Sequence, residues 1–121
     1  VEVVAGHLAD PLPGGLRGQF DLVVAVVPYV PTDELIFLPR DVREHEPRLA
    51  LDGGPRGTRL LEETVWAGAA VLRPGGTLLL ELGGDQDRSL RPVLQAAGYG
   101  APRRYEDAEG ALRHLEARWS P

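Results

Sequence analysis

The residues best suited to chemistry in this chain stand where an apolar run breaks off. FDLVVAVV, Phe20 to Val27, passes directly into Pro28-Tyr29-Val30-Pro31. Neither proline has an N–H, so a strand ladder must stop here. Beyond the break stands an aromatic face, Tyr29, beside a string of free carbonyls. In open α/β sheets, ligands sit just beyond the carboxyl ends of strands, so the Pro-Tyr corner is a candidate site mouth. The same residues also read as a stiff loop with Tyr29 as a packing residue. Glu81 interrupts an otherwise apolar strand, and a buried carboxylate needs a partner; a place at the site mouth and a capping or edge role both fit it. Gly53, Gly54 and Gly57 lie in HEPRLALDGGPRG and allow positive φ or close approach to a ligand. DGGPRG follows no strand, so it is weak as a phosphate loop. Asp85 and Asp87 could be paired carboxylates or belong to a helix N-cap. His7, His45 and His114 are too scattered in sequence to suggest a metal site.

The elements that must position these residues alternate in type. Val1 to Ala5 is a short apolar segment ending at Gly6 and reads as a strand and turn. Asp10 to Gly18 is a Pro/Gly loop. Phe20 to Val27 reads as a strand, and its run from Leu22 to Val27 has no polar face, which predicts a strand covered on both sides. Pro28 to Gly57 is a long connection with a short helix near Asp41 to Glu46; loops of this length are usually functional lids or disordered. Thr58 is the expected N-cap of a helix to about Arg73, apolar at Leu61, Val65, Gly68, Ala69 and Leu72. Pro74-Gly75-Gly76 ends it, and Thr77 to Leu82 is a second strand. A helix comes next, from Asp87 or Ser89 to Ala97, with Ser89 the better cap because Pro92 then falls in the first turn. Ala101 to Tyr105 and Leu112 to Trp119 read as a terminal antiparallel pair, and Arg103-Arg104 as a solvated charged face. This order implies an α/β layer structure with a mostly parallel sheet.

Composition narrows the function classes. The chain has 121 residues, 43% of them hydrophobic and 26% charged, enough for one domain with a buried core. A net charge of −5 argues against a general nucleic-acid surface. No run approaches the roughly 20 apolar residues of a membrane span. Cysteine is absent, which excludes disulfides and thiolate metal sites and suits a cytoplasmic protein.

Taken together, FDLVVAVVPYVP, HEPRLALDGG, LRPGGTLLLELGGDQ and the Asp107/Gly110/Arg113 pattern resemble the S-adenosylmethionine-dependent protein N5-glutamine methyltransferases that modify peptide chain release factors (the HemK/PrmC type). The resemblance runs from GHLADPL to LEARW. It implies an α/β, Rossmann-like class I methyltransferase sheet, mostly parallel with a C-terminal antiparallel hairpin. On this reading residues 1–121 are the C-terminal part of a single methyltransferase domain, lacking its first strands. The resemblance implies S-adenosyl-L-methionine as cofactor, a release factor-like protein as substrate, and no membrane or nucleic-acid partner. Val27, Pro28 and Tyr29 match the family's substrate-amide motif, in which the Asn side chain and a backbone carbonyl orient the glutamine amide and Tyr packs on its plane. Val26 stands where the family has Asn, and valine has no hydrogen-bonding group. His7, where the family usually has Asp, and Val26 fall on the cofactor side; Glu46 and Pro47 match the Glu-Pro of the substrate loop. The family's glycine-rich cofactor loop would lie upstream of Val1, so the isolated chain is expected to be inactive and not to bind the cofactor. The alternative is a non-catalytic methyltransferase-like remnant that acts by partner binding or self-association. A strand edge freed of its neighbours is a template for pairing, so a homo-oligomer through the Phe20–Val27 edge is expected.

Overall fold

A computed structural model describes residues 1–121. In chain order the elements are β1 (Phe20–Ala25), α1 (Arg40–His45), α2 (Arg59–Val71), β2 (Leu72–Glu81), α3 (Gln86–Ala96), β3 (Arg103–Glu106) and β4 (Leu112–Arg118), with short 3-10 turns at Gly14–Leu16, Thr32–Phe37 and Arg48–Ala50. The strands form one sheet in the order β1-β2-β4-β3. β1 runs parallel to β2, pairing Val23 with Leu78 and Ala25 with Leu80. β4 runs antiparallel to both β2 and β3. The α/β class is as expected, and within residues 1–121 the parallel part is the β1–β2 pair.

The core sits between one face of β2 and β4 and the two longer helices. Leu78, Leu80 and Leu82, alternate residues on one side of β2 and just beyond it, pack with Leu61 and Val65 of α2, Leu90 and Leu94 of α3, and Leu115 and Ala117 of β4. The period of two on the strand and of three to four on the helices is what brings these side chains together. Gly68 lets α2 approach: a Cβ there would stand 2.7 Å from the Tyr99 hydroxyl and 3.3 Å from Leu78. The Tyr99 hydroxyl instead donates to the Val65 carbonyl at 3.0 Å.

Several sequence expectations are corrected. Val1 to Ala5 forms no strand; it is exposed and has no ladder partner, and a strand exists only as part of a ladder. β1 ends at Ala25 and is covered on one side only. Val23 and Ala25 pack against the core, whereas Leu22, Val24 and Val26 are 53%, 60% and 69% exposed. The all-apolar run therefore does not signal double burial within this chain. α2 ends at Val71, and β2 begins at once at Leu72, so the Pro-Gly-Gly stretch lies in the strand. The cap of α3 is Asp85, making Pro92 an interior residue. Pro92 deprives the Arg88 carbonyl of its helical donor, and both residues are exposed, so water can take that place. Arg104 is exposed, as expected of a solvated face, but it also pairs with the buried Asp87 at 3.0 Å.

Candidate functional site

The carboxyl ends of β1 and β2 point the same way, because the two strands are parallel. This puts the Pro28-Tyr29 turn beside Glu81 and Gly83. The Tyr29 hydroxyl donates to Glu81 Oε1 at 2.8 Å. Burial, reinforced by the hydrogen bond to Glu81, pushes the Tyr29 phenol up to about 12. Tyr29 is therefore neutral at physiological pH and its hydroxyl is committed to Glu81. It presents a ring, and Glu81 has the partner that an acid in an apolar strand requires.

The main chain of the same turn is held from the other side. Gln86, buried at the start of α3, donates through Nε2 to the Tyr29 carbonyl at 2.7 Å and to the Arg56 carbonyl at 3.3 Å. Its Oε1 accepts the Gly83 N–H at 3.1 Å. The long connection folds back onto the corner through backbone bonds: Val30 N–H to Leu51 O at 3.0 Å, Gly53 N–H to Val30 O at 2.8 Å, and Thr32 N–H to Gly54 O at 2.9 Å. Asp52 braces this bridge, accepting from the Thr32 hydroxyl at 2.6 Å and the Gly54 N–H at 3.0 Å. Those bonds, with Arg48, hold its carboxyl below the usual carboxylate range. Two glycines are required by close approach. A Cβ on Gly53 would lie 2.8 Å from the Pro28 carbonyl, and one on Gly57, at φ +70°, 2.0 Å from the Tyr29 carbonyl.

A hollow of ≈ 350 Å³ opens at this corner, lined by Tyr29, Pro31, Glu34, Phe37, Arg56, Gly83 and Arg113 among others. Arg113 is anchored by Asp107 at 2.8 Å. Asp107 also accepts the Ala111 and Glu109 N–H groups, and these bonds hold it below its ordinary range. The lining thus includes two aromatic residues, Tyr29 and Phe37, two arginines, Arg56 and Arg113, and two acids, Glu34 and Asp85.

The other sequence-predicted residues are spread more widely. Val26 and Val27 come directly after β1; the Val26 side chain is exposed, while Val27 packs against the core. His7 lies on the flank of α2, 2.7 Å from Glu63, away from the Tyr29 corner. Glu46 and Pro47 come after α1 and are exposed; Glu46 lines a separate shallow hollow with Leu35, Arg43 and Arg48. Asp85 takes the α3 cap position, and Asp87 turns inward to Arg104. No group of three or more His, Cys, Asp or Glu residues could hold a metal ion. Sequence reading misses Gln86, Arg56 and Phe37. Gln86 has one usable signal, an amide side chain straight after the Gly-Gly-Asp that leaves a strand.

Comparison with known proteins gives this corner a context. No family model matches the chain. It is 44% identical over 89 residues to the release factor glutamine methyltransferase of Caulobacter vibrioides, covering 74% of this chain and 31% of that protein. It is 40% identical over 118 residues to the Deinococcus radiodurans protein of the same name, covering 98% of this chain and 40% of that one. The chain is a relative of the release factor glutamine methyltransferases. It spans about a third to two fifths of the length of these relatives. Among solved structures, the E. cuniculi Mtq2–Trm112 complex, described as responsible for methylation of the eRF1 translation termination factor, superimposes with a TM-score of 0.62 at 19% identity, over 97% of this chain and 60% of that one. The antibiotic-resistance methyltransferase Kmr superimposes with a TM-score of 0.52 at 22% identity, over 98% of this chain and 57% of that one. The fold is that of a methyltransferase sheet with its terminal hairpin.

The residues present only partly suit S-adenosylmethionine. The hollow at the free edge of β1, beside α2, ≈ 340 Å³, is lined by apolar residues such as Leu8, Leu12, Phe20 and Leu22, with Thr64 its polar side chain. It offers an apolar wall but no carboxylate for a ribose and no counter-charge for an amino-acid group. No helix is long and apolar enough to cross a membrane.

Proposed function

We propose that residues 1–121 form the acceptor side of an S-adenosylmethionine-dependent methyltransferase that modifies the side-chain amide of a glutamine in a protein such as a peptide chain release factor. The observation that carries this reading is the Pro28-Tyr29 corner, which is held by Glu81 and Gln86 at the carboxyl ends of two parallel strands, in a chain with relatives of that name. An amide nitrogen is a poor nucleophile because its lone pair is delocalised, so orientation must supply much of the rate. The Tyr29 ring packs on the amide plane, and the carbonyl before Pro28, that of Val27, accepts an amide N–H. Val26 removes the side-chain partner that an Asn would give. His7 and Val26 are assigned to the cofactor side and Glu46-Pro47 to the approach of the protein substrate. The methyl donor's polar groups need residues beyond those present here, so residues 1–121 by themselves are expected not to bind it. The reading places the protein in the cytoplasm, with its substrate.

The test is a methylation assay with the gene product that contains residues 1–121, radiolabelled S-adenosylmethionine and a release factor. Label in the factor, lost when its accepting glutamine is replaced by alanine, is the expected result. No label at any enzyme concentration overturns the reading. Calorimetry with the isolated chain is expected to give no heat on adding S-adenosylmethionine.

Val26 favours a second reading, a non-catalytic chain that binds a protein or pairs with itself through the exposed Leu22, Val24 and Val26 face. Light scattering decides the self-pairing: a dimer mass at micromolar concentration supports it, and a monomer mass refutes it.

A further inference from the structure

We propose that Gln86 is a positioning residue for this site: its side-chain amide fixes the Tyr29 carbonyl, and with it the Pro28-Tyr29 corner, against the folded-back connection. The proposal rests on the acceptor reading above for what the corner does, and on geometry alone for what Gln86 does. Gln86 touches three segments that are distant in sequence. Nε2 donates to Tyr29 O at 2.7 Å and Arg56 O at 3.3 Å, and Oε1 accepts from Gly83 N–H at 3.1 Å. Gln86 is 6% exposed as a residue, so water cannot readily replace these bonds, and an unmet carbonyl there is costly. Both Nε2 protons and an Oε1 lone pair are used. Of the side chains of similar size, only an amide provides two donors and an acceptor in this arrangement. A Cβ at Gly57 would stand 2.6 Å from Nε2, so the loop is shaped around the amide. The corner is otherwise held by Glu81 at the far end of the Tyr29 ring and, one residue on, by the Val30 backbone bonds to Leu51 and Gly53. Gln86 is the side chain that holds the Tyr29 carbonyl, and the same stretch of main chain carries the carbonyl that would accept the substrate amide.

Two variants of the intact gene product separate the possibilities. Gln86→Met keeps the bulk and removes every polar bond. Gln86→Glu keeps the Gly83 acceptor and turns an oxygen toward two carbonyls; only when protonated can it donate to one of them. Hydrogen exchange reads the positioning without any need for activity. In Gln86→Met, exchange at the Val30 and Gly53 amides is expected to rise about tenfold or more, while Leu80 in β2 is unchanged. Equal protection in variant and wild type overturns the proposal, and so does loss of protection throughout the sheet. Methyl transfer reads the use of that positioning. The expected result is a fall in kcat of about 10–100-fold in both variants, with S-adenosylmethionine affinity unchanged. In Gln86→Glu, part of the loss is recovered as the pH is lowered through the titration of the new carboxyl group, and in Gln86→Met none is. A wild-type kcat in a variant with a loosened corner overturns the catalytic use. If the wild type transfers no methyl group, the acceptor reading fails, and exchange alone still decides whether Gln86 sets the corner.

Discussion

Gly54 and Gly57 both have left-handed backbone, at φ +89° and +70°, yet only one of them faces a wall. An alanine Cβ at position 54 meets nothing within 4 Å, whereas at position 57 it would meet the Tyr29 carbonyl at 2.0 Å and Gln86 Nε2 at 2.6 Å. Each substitution carries the left-handed backbone penalty of about 1–2 kcal/mol. Gly57→Ala adds displacement of the connection from the corner. That weakens the Gln86 bond to Tyr29 and the Gly53 bond to Val30, at about 1 kcal/mol net each, with overpacking strain on top. The expected gap between the two variants is therefore about 2–4 kcal/mol. Urea unfolding reads it as a difference in midpoint of roughly 1–2 M for a slope near 2 kcal/mol per molar. Because backbone strain is common to both variants, the gap isolates the close approach. Midpoints agreeing within about 0.3 M would refute the idea that the connection is seated on the Tyr29 carbonyl.

Tyr29→Phe removes the bond to Glu81 and leaves a half-buried carboxylate unmatched, an expected loss of about 1–3 kcal/mol by urea unfolding. The phenol's pKa is raised by folding to about 12, so its contribution is complete below the ordinary tyrosine value of about 10 and disappears as pH rises toward 12; the alkaline limb of the wild-type stability profile should be steeper than that of Tyr29→Phe. Asp107 has the opposite sign. Its folded carboxyl is lowered by the Ala111 N–H and Arg113, so its contribution is present above the ordinary carboxylate range and lost as pH falls through and below it. Asp107→Asn should flatten the acid limb and release Arg113, seen as faster exchange at the Ala111 amide. Leu80→Ala, at a fully buried centre of the core, is expected to cost about 2–5 kcal/mol, and a loss below 1 kcal/mol would mean that the β2 face is not the core.

Much of the architecture is legible from local pattern. The α2 face at Leu61, Val65 and Gly68, the β2 strand and the terminal hairpin arise from periods of 3.6 and 2 that need no knowledge of the rest of the chain. Local pattern fails where the deciding partner is distant in sequence. Leu22 to Val27 is apolar on both sides, and its composition cannot say that Leu22, Val24 and Val26 lack a covering layer in this chain. Val1 to Ala5 has strand composition but no neighbour to pair with. The proline rule puts the α3 cap too late, at Ser89, because it admits Pro92 only in the first turn; an exposed Arg88 carbonyl makes an interior proline tolerable there. At the site, the Pro28-Tyr29 corner is readable from its prolines and Glu81 from its isolation. Gln86 is not, because its role depends on two carbonyls contributed by loops thirty and fifty-seven residues away.

The folded-back connection is tied at its two ends by main-chain atoms, Val30 to Leu51 and Gly53, and Thr32 to Gly54. Main-chain ties impose little on side-chain identity, so residues 33 to 50 form a cassette clamped at its base. Such a cassette can be exchanged or lengthened between paralogues at small loop-closure cost without redrawing the corner beneath it. Side chains from 33 to 50 can therefore vary, and with them the Glu34 and Phe37 part of the hollow's wall, while the main-chain course of the Pro28-Tyr29 corner stays as it is.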